Sequence, residues 1–508
     1  MDCSITIEIG TGAIRVAAFD LDGIMLGSSK GSYPTFHAKP DFSEQDPEQI
    51  FITMLYILKN FLNETIHPKK HEVICLCFSS AMHSVLPIDK NGVPLGNAMA
   101  WSDNRAKKEA RDLKKSSLGK SLYKITGTPI HAMSPLNKIK WLKNNDKDRF
   151  DATQKFLSIK TYIIQQLTGE YIVDYSIASA TGMLNIRTLK WEADALKYAG
   201  IIKEKLADVV SVFYSPKKLK KEYQASLGLH DKVKLIVGSS DGCMATLGAG
   251  VWGDGKATVT LEESGAVRVV GTEILQDEKQ RLFNYLLTEG LYVSGGPTNN
   301  AGAVFEWYAK QFGDFKKAFD LEDCINNLIN DAAKVPAGSA GLIFLPYLQG
   351  ERAPMWNADA RGVYFGLNIK HEQQHFVRAT IEGILYAIYS IGKTLEEHQS
   401  IKSLSANGTF ASYPSWTQMM ADIFNKPVHI KQGSGSDSVA FGSFLLSATE
   451  IGLYKNLDEA AETVKLPDSF TPNKRLHNVY MKHYAIFERL GVKLFDEFEA
   501  IADLQQEN

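Results

Sequence analysis

The chain contains no apolar run near the roughly 20 residues that a bilayer-crossing helix needs, which sets aside a membrane-spanning protein. Its five cysteines, Cys3, Cys75, Cys77, Cys243 and Cys324, are odd in number and scattered, so they do not form a disulfide framework. Cys75 and Cys77 fall in residues 73–78, an apolar run that reads as a buried strand, where they serve as small core residues rather than metal ligands. A reducing compartment fits such usage. Net charge is also scarce: 56 Lys+Arg against 58 Asp+Glu leave −2, with no global attraction to nucleic acid or to an anionic membrane. No low-complexity segment occurs, and no basic stretch leads into an apolar one at the start, so no secretory signal is read and a cytoplasmic location is expected. What remains is a globular chain of 508 residues, 44% hydrophobic and 22% charged, too long for one core and sized for two or three domains.

What the sequence does have is a short segment that nearly occurs twice. Residues 12–16 read Gly-Ala-Ile-Arg-Val and residues 265–269 read Gly-Ala-Val-Arg-Val. Each follows an alternating β-branched run, at 5–9 and 257–261, so each reads as strand, tight glycine turn, strand. Two copies half a chain apart imply two related domains, each opening with a β-hairpin whose turn could face a shared cleft. A turn such as Gly10-Thr11-Gly12 offers backbone N–H groups and a hydroxyl to an anion. For either copy alone an ordinary hairpin turn is the competing reading; the pairing favours a nucleotide clamp.

The flanking pattern is mixed α/β. Strands are expected at about 4–9, 13–20, 24–29 and 72–78. A helix is expected at about 47–62, with Asp46 as its N-cap, Pro47 in its first turn, and Ile50, Met54, Ile57, Leu58 and Phe61 on its core face. The second half repeats the theme, with strands at about 257–262, 265–270 and 284–294 and helices at about 300–312 and 371–397. A strand ending at Asn407, a helix at about 415–424, a strand at about 427–431 and a closing amphipathic helix over about 478–506 follow. The glycine-rich stretch at about 245–256 marks the boundary and reads equally as a hinge or as helix–loop packing.

Five clusters could carry chemistry. Asp241 follows a strand at about 236–240, which would present its carboxylate near the boundary. A carboxylate there can take the proton of an attacking hydroxyl; an Asx-turn or helix N-cap is the local alternative. Residues 79–84, Ser-Ser-Ala-Met-His-Ser, and 101–105, Trp-Ser-Asp-Asn-Arg, supply the donors, acceptors and aromatic face of a polyol pocket, and Arg105 could meet a carboxylate. Taken singly, His83 reads rather as a satisfied surface or core histidine and Trp101 rather as a core residue. Residues 295–302 precede a helix, whose N-terminus suits a phosphate or is simply a capped loop. Glu351 and Arg352 could pair at a domain interface.

In this order the clusters resemble the FGGY carbohydrate kinases, most closely the gluconokinases among them. The resemblance runs along nearly the whole chain. It is carried by Met-Ser-Pro-Leu-Asn-Lys-Ile-Lys-Trp at 133–141 and by the stretch from Gly-Val-Tyr-Phe-Gly at 362–366 through His375-Phe376 to Ala-Thr-Ile-Glu at 379–382. Residues 79–84, 101–105, 126–131 and 174–182 add less specific support. The resemblance implies an α/β fold of two ribonuclease-H-like, actin-like ATPase domains around a central cleft, divided as 1–249 on the sugar side and 250–508 on the nucleotide side. It implies ATP-dependent phosphorylation of a terminal hydroxyl, with D-gluconate favoured and ATP and Mg²⁺ required. By carry-over, Asp241 is the catalytic base and Met82, His83, Trp101, Asp103 and Arg105 surround the sugar. Gly10, Thr11, Ser264, Asn299, Asn300, Gly302 and Gly408 lie near nucleotide, and Glu8 near the metal. Expected partners are the sugar or sugar acid and ATP, with a homodimer possible and no nucleic acid or membrane.

The departures from the family pattern all fall on the nucleotide side. Glu8 stands where an aspartate is usual, and demanding octahedral Mg²⁺ geometry would feel the added methylene. Leu-Glu-Glu-Ser-Gly at 261–265 replaces Ile-Gly-Thr-Ser-Gly, and a carboxylate about 5 Å from a phosphate charge costs up to about 3 kcal/mol at an effective dielectric of about 20. Gly408-Thr409 replaces Gly-Gly, and a β-branched Thr409 resists a positive φ; Ser412 stands where a basic residue sometimes follows. Three readings therefore compete: an active gluconokinase; a kinase for another sugar such as xylulose or glycerol; and a catalytically weak sugar-binding pseudokinase.

Overall fold

The structure, a computed structural model, describes residues 2–69, 71–315, 318–430, 438–466 and 468–507. Five strands make the first sheet: β1 (Asp2–Ile9), β2 (Ala13–Asp20), β3 (Met25–Ser32), β4 (Glu72–Ser80) and β5 (Lys234–Ser240), in the spatial order 5-4-1-2-3. β1, β2 and β3 form an antiparallel meander, and β4 and β5 add parallel to β1. The second sheet has seven strands: β6 (Lys256–Leu261), β7 (Gly265–Gly271), β8 (Phe283–Thr288), β9 (Leu291–Thr298), β10 (Ser403–Asn407), β11 (Val428–Ile430) and β12 (Asp468–Phe470). Its order is 8-9-7-6-10-11-12. Around β6 the arrangement of the first sheet recurs: β7 and β9 antiparallel on one side, β10 and β11 parallel on the other. The sequence repeat thus marks the leading hairpins of two like-built sheets.

Helices complete each lobe. In α1 (Pro47–Phe61) the Asp46 carboxylate caps the N–H groups of Glu48 and Gln49, and Ile50, Met54, Leu58 and Phe61 are buried as their spacing predicts. α2 (Asp241–Gly248) follows β5 directly, α3 (Gly302–Phe312) follows β9, and the long α4 (Gln373–Glu396) packs its apolar face under the second sheet. The single strand expected over 284–294 is a hairpin, because Gly290 adopts φ 71° and turns the chain between β8 and β9. The closing helix is two helices, α6 (Lys474–Lys493) and α7 (Phe495–Glu507). Of the strand expected at 427–431, Lys431 lies outside the described residues.

One helix crosses between the lobes. α5 (Ser438–Glu450) comes from the second half of the chain, yet it lies on the first sheet, where Ser4 Oγ meets Ser447 Oγ at 2.9 Å and the rings of Phe19 and Phe444 lie 5.2 Å apart. It also packs backbone to backbone on α2. A Cβ on Gly442 would sit 2.0 Å from the Met244 carbonyl oxygen, and one on Gly248 would sit 2.0 Å from that of Ser438. Gly248 is therefore a packing residue, while Gly250, Gly253 and Gly255 carry the left-handed turns of the connector. All five cysteines are buried and unpaired. Among the described residues, no helix is long and apolar enough to cross a membrane. We expect Gly442→Ala to lower unfolding stability by on the order of 1–3 kcal/mol, read by denaturant titration, because the added methyl forces the two helices apart.

Candidate active site

Between the lobes lies a cleft of about 820 Å³ whose walls include both hairpin turns, Asp241, Trp101 and Arg268. The position of Asp241 begins with a bulge in β5. The register with β4 shifts between Ile236 and Ser239, and Gly238 adopts φ 68° with no room for a Cβ, which would lie 1.8 Å from the Phe78 carbonyl oxygen. The strand is thereby re-aimed, Ser240 caps α2 by accepting from the Cys243 N–H at 3.4 Å, and Asp241 occupies the first turn. Its Oδ1 accepts from the Gly242 N–H at 2.6 Å. Burial raises the Asp241 pKa, and the nearby Arg268 guanidinium opposes that rise. Arg268 is the counterpart of Arg15 in the repeat, and both line the cleft, a role that the sequence alone does not assign to either. A matched basic residue on the strand after each turn, in two hairpins of one repeat, was the signal available.

The first turn closes through the Gly10 N–H on Ala13 O at 2.9 Å. The Thr11 hydroxyl accepts from Trp101 Nε1 at 2.9 Å, so the expected phosphate and sugar elements touch. Among the described residues the N–H groups of Thr11, Gly12, Glu263 and Ser264 make no hydrogen bond, and all four residues line the cleft. Glu8 pairs with Arg15 at 3.3 Å. Burial pushes its carboxyl up to about 7; Arg15 counters this, while Asp241 and Glu262 add to it.

Not every expected site residue reaches the cleft. Asp103 is fully buried and chelates Arg105 (2.7 Å), which also meets Glu44 at 2.5 Å and lies over the Phe42 ring; neither faces the cavity. His83 is buried with both ring nitrogens engaged, Nδ1 donating to Ala180 O at 2.9 Å and Nε2 accepting from Tyr285 at 3.4 Å. Met82 packs between two cores beside it, outside the cleft wall. The N-terminus of α3 does not offer its first amides to a phosphate: Gly302 N–H donates to Glu262 O (2.8 Å) and Ala303 N–H to Glu263 O (3.0 Å). Gly302 sits against Phe410 and that carbonyl, and Asn300 is buried, bonded to Gly350 O at 2.7 Å. Asn299 and Ser264 do line the cleft. Gly408 lies behind it against Leu261, and Gly408, not Thr409, carries the positive φ (97°), so the strain expected of Thr409 does not arise.

Two of the departures from the family pattern, Glu262 and Thr409, prove to be partners. Thr409 Oγ1 donates to Glu262 Oε2 at 2.9 Å, which ties the second turn to the loop after β10. Burial raises the Glu262 pKa, and the Thr409 bonds and Arg15 oppose it. The bond holds that carboxylate beside Thr409, whereas Glu263 is exposed.

The elevated Glu8 carboxyl has a measurable consequence. Between about pH 4.5 and 7 the folded chain holds a proton there that the unfolded chain releases, so this group's contribution to stability falls as pH rises through that window. We expect Glu8→Gln to gain stability relative to the parent as pH rises from about 4.5 to 8, by on the order of 2 kcal/mol, read by urea titration at both ends. An unchanged difference would place the Glu8 pKa near its ordinary value.

Two family descriptions match the sequence: the N-terminal domain of the FGGY family of carbohydrate kinases over residues 3–248 and its C-terminal domain over residues 261–451. The chain is 35% identical over 505 residues to the gluconokinase of Bacillus subtilis, covering 98% of each. The structure superposes on a gluconate kinase from Lactobacillus acidophilus with TM-score 0.91 and 30% identity, covering 98% of this chain and 99% of that one. A ligand-bound xylulose kinase from the same species matches at TM-score 0.91 and 30% identity, with 98% and 100% coverage. With its paired hairpins and shared cleft, the chain belongs to the FGGY family of carbohydrate kinases, two-domain enzymes of the actin-like ATPase fold that use ATP.

Proposed function

We propose that the protein transfers the γ-phosphoryl group of ATP to the terminal hydroxyl of D-gluconate, giving 6-phosphogluconate. The observation that carries this reading is Asp241, a partly buried carboxylate with a raised pKa at the start of α2, in the same cleft as the two amide-bearing turns. The chain's likeness to gluconokinases supports a sugar acid as the acceptor. In this reading residues 1–249 bring the sugar side and 250–508 the nucleotide side.

Asp241 accepts the hydroxyl proton as the substrate oxygen forms its bond to the γ-phosphorus and the bond to the β-phosphate bridging oxygen breaks, releasing ADP. A raised pKa makes Asp241 a better proton acceptor than an exposed aspartate. The Thr11 and Gly12 amides on one side and the Glu263 and Ser264 amides on the other hold phosphate oxygens, and the Arg15 and Arg268 guanidiniums offset charge there. Glu8 suits a Mg²⁺ ion: it is a carboxylate raised by burial and, less, by two acidic neighbours, and countered by one arginine at 3.3 Å. Among the described residues no three acidic, His or Cys side chains converge, which fits an ion completed by phosphate oxygens and water. Such an ion would neutralise phosphate charge when bound.

We expect Asp241→Asn to lower kcat on gluconate by roughly 10²- to 10⁴-fold with KM little changed, measured by ADP release. Higher kcat/KM on xylulose or glycerol than on gluconate would replace the substrate named here. Gluconate that raises the melting temperature without any turnover would mark a sugar-binding pseudokinase.

A further inference from the structure

A sugar acid differs from a neutral sugar by one carboxylate, and a carboxylate leaving water needs N–H donors to replace its hydration. Three cations on the sugar side are already committed. Arg105 is chelated by Asp103 and Glu44. Lys160 pairs with Asp174 at 2.9 Å and donates to Ser239 O at 2.9 Å. Lys138 donates to His83 O at 2.9 Å and Ala100 O at 2.5 Å.

Arg352 is differently placed. It is 8% exposed, its guanidinium lies 4.6 Å from the centre of the Trp101 ring in the cleft wall, and one terminal nitrogen donates to Thr298 O at 3.0 Å. Its Nε has no hydrogen-bond partner among the described residues. Glu351 does not serve it: that carboxylate is taken by Thr298 Oγ1 (2.7 Å) and by the N–H groups of Asn299 (3.2 Å) and Arg352 itself (2.7 Å). Burial lowers the Arg352 pKa to about 10, so it remains charged at neutral pH.

His131 supplies a second orphan. It is also 8% exposed, with its ring 5.3 Å from that of Trp356, four residues beyond Arg352. The Met133 N–H donates to Nδ1 at 3.2 Å, which leaves the ring proton on Nε2, and Nε2 has no partner among the described residues. Burial, and next the charge of Arg352, push the His131 pKa down to about 3, so it is a neutral donor. Lys114, half-buried and without an acidic partner among the described residues, adds its positive field to the same ring.

We propose that the Nε–H of Arg352 and the Nε2–H of His131 bind the carboxylate of an aldonic acid, holding the acid end of the substrate while its far hydroxyl reaches Asp241. This rests on the gluconate reading above. A neutral polyol or ketose leaves both buried donors unpaired, so the pair discriminates by acceptor rather than by shape.

The test measures gluconate, glucitol and xylulose binding by calorimetry without ATP, and their steady-state kinetics, for the parent, Arg352→Lys, His131→Leu and His131→Gln. Arg352→Lys and His131→Leu should each weaken gluconate by roughly 10- to 100-fold in Kd and KM, with a much smaller change in kcat. The preference for gluconate over xylulose should fall by a similar factor. His131→Gln, which restores an N–H, should recover part of the loss. Equal losses on acid and neutral ligands, or an unchanged preference in variants of a parent that does bind gluconate, overturn this assignment alone. A parent that prefers neutral ligands to gluconate overturns the gluconate reading with it. Thermal melts confirm folding, and if Arg352→Lys fails to fold, the two His131 variants decide the question.

Discussion

The contact of α2 with α5 holds the two lobes around one cleft. α2 carries Asp241 at its start, and α5 comes from the other half of the chain. Their backbones meet at Gly248 and Gly442, where neither side leaves room for a Cβ. This closeness fixes Asp241 relative to elements encoded some 200 residues later, because a helix pair in backbone contact has little freedom to slide. The bulge at Gly238 completes the constraint by turning β5 into α2 at the needed angle.

Charge in this molecule is sorted by commitment. Asp103 with Arg105, and Lys160 with Asp174, are buried pairs whose donors and acceptors largely satisfy each other; they hold loops in place and do not face the cleft. Glu351 likewise spends its carboxylate on four N–H and hydroxyl donors around Asn299 and Asn300. What is left over is less complete. Arg268 faces Asp241, and Arg352 and His131 keep buried donors without acceptors. A buried unsatisfied donor is costly in an isolated protein and becomes favourable when a ligand supplies the acceptor.

The second lobe shows two unusual residues that make sense together. Glu262 in a cleft-facing turn and Thr409 in the adjoining loop each look unfavourable alone, yet their 2.9 Å hydrogen bond joins the two segments. The turn carbonyls of Glu262 and Glu263 also cap α3, so this hairpin supports the helix after β9 instead of leaving its first amides to a ligand.

Much of this was legible in the chain. The repeat at 12–16 and 265–269 identified two leading hairpins, because a strand–turn–strand is specified by local alternation and glycine. Helix α1, its Asp46 cap and its apolar face were likewise local. The motif order named the family, and Asp241 was visible as a carboxylate at a strand end. The sequence could not say which polar residues face the cleft, since that depends on partners distant along the chain. Glu44, about 60 residues from Arg105, takes that guanidinium out of consideration, and Asp174 does the same for Lys160. Nor could it show that α5 returns to the first lobe, or that Gly408 rather than Thr409 bears the positive φ. Periodicity and turn chemistry act over a few residues and are written in order. The pairing of buried charges and the meeting of two backbones are decided only when the whole chain has packed.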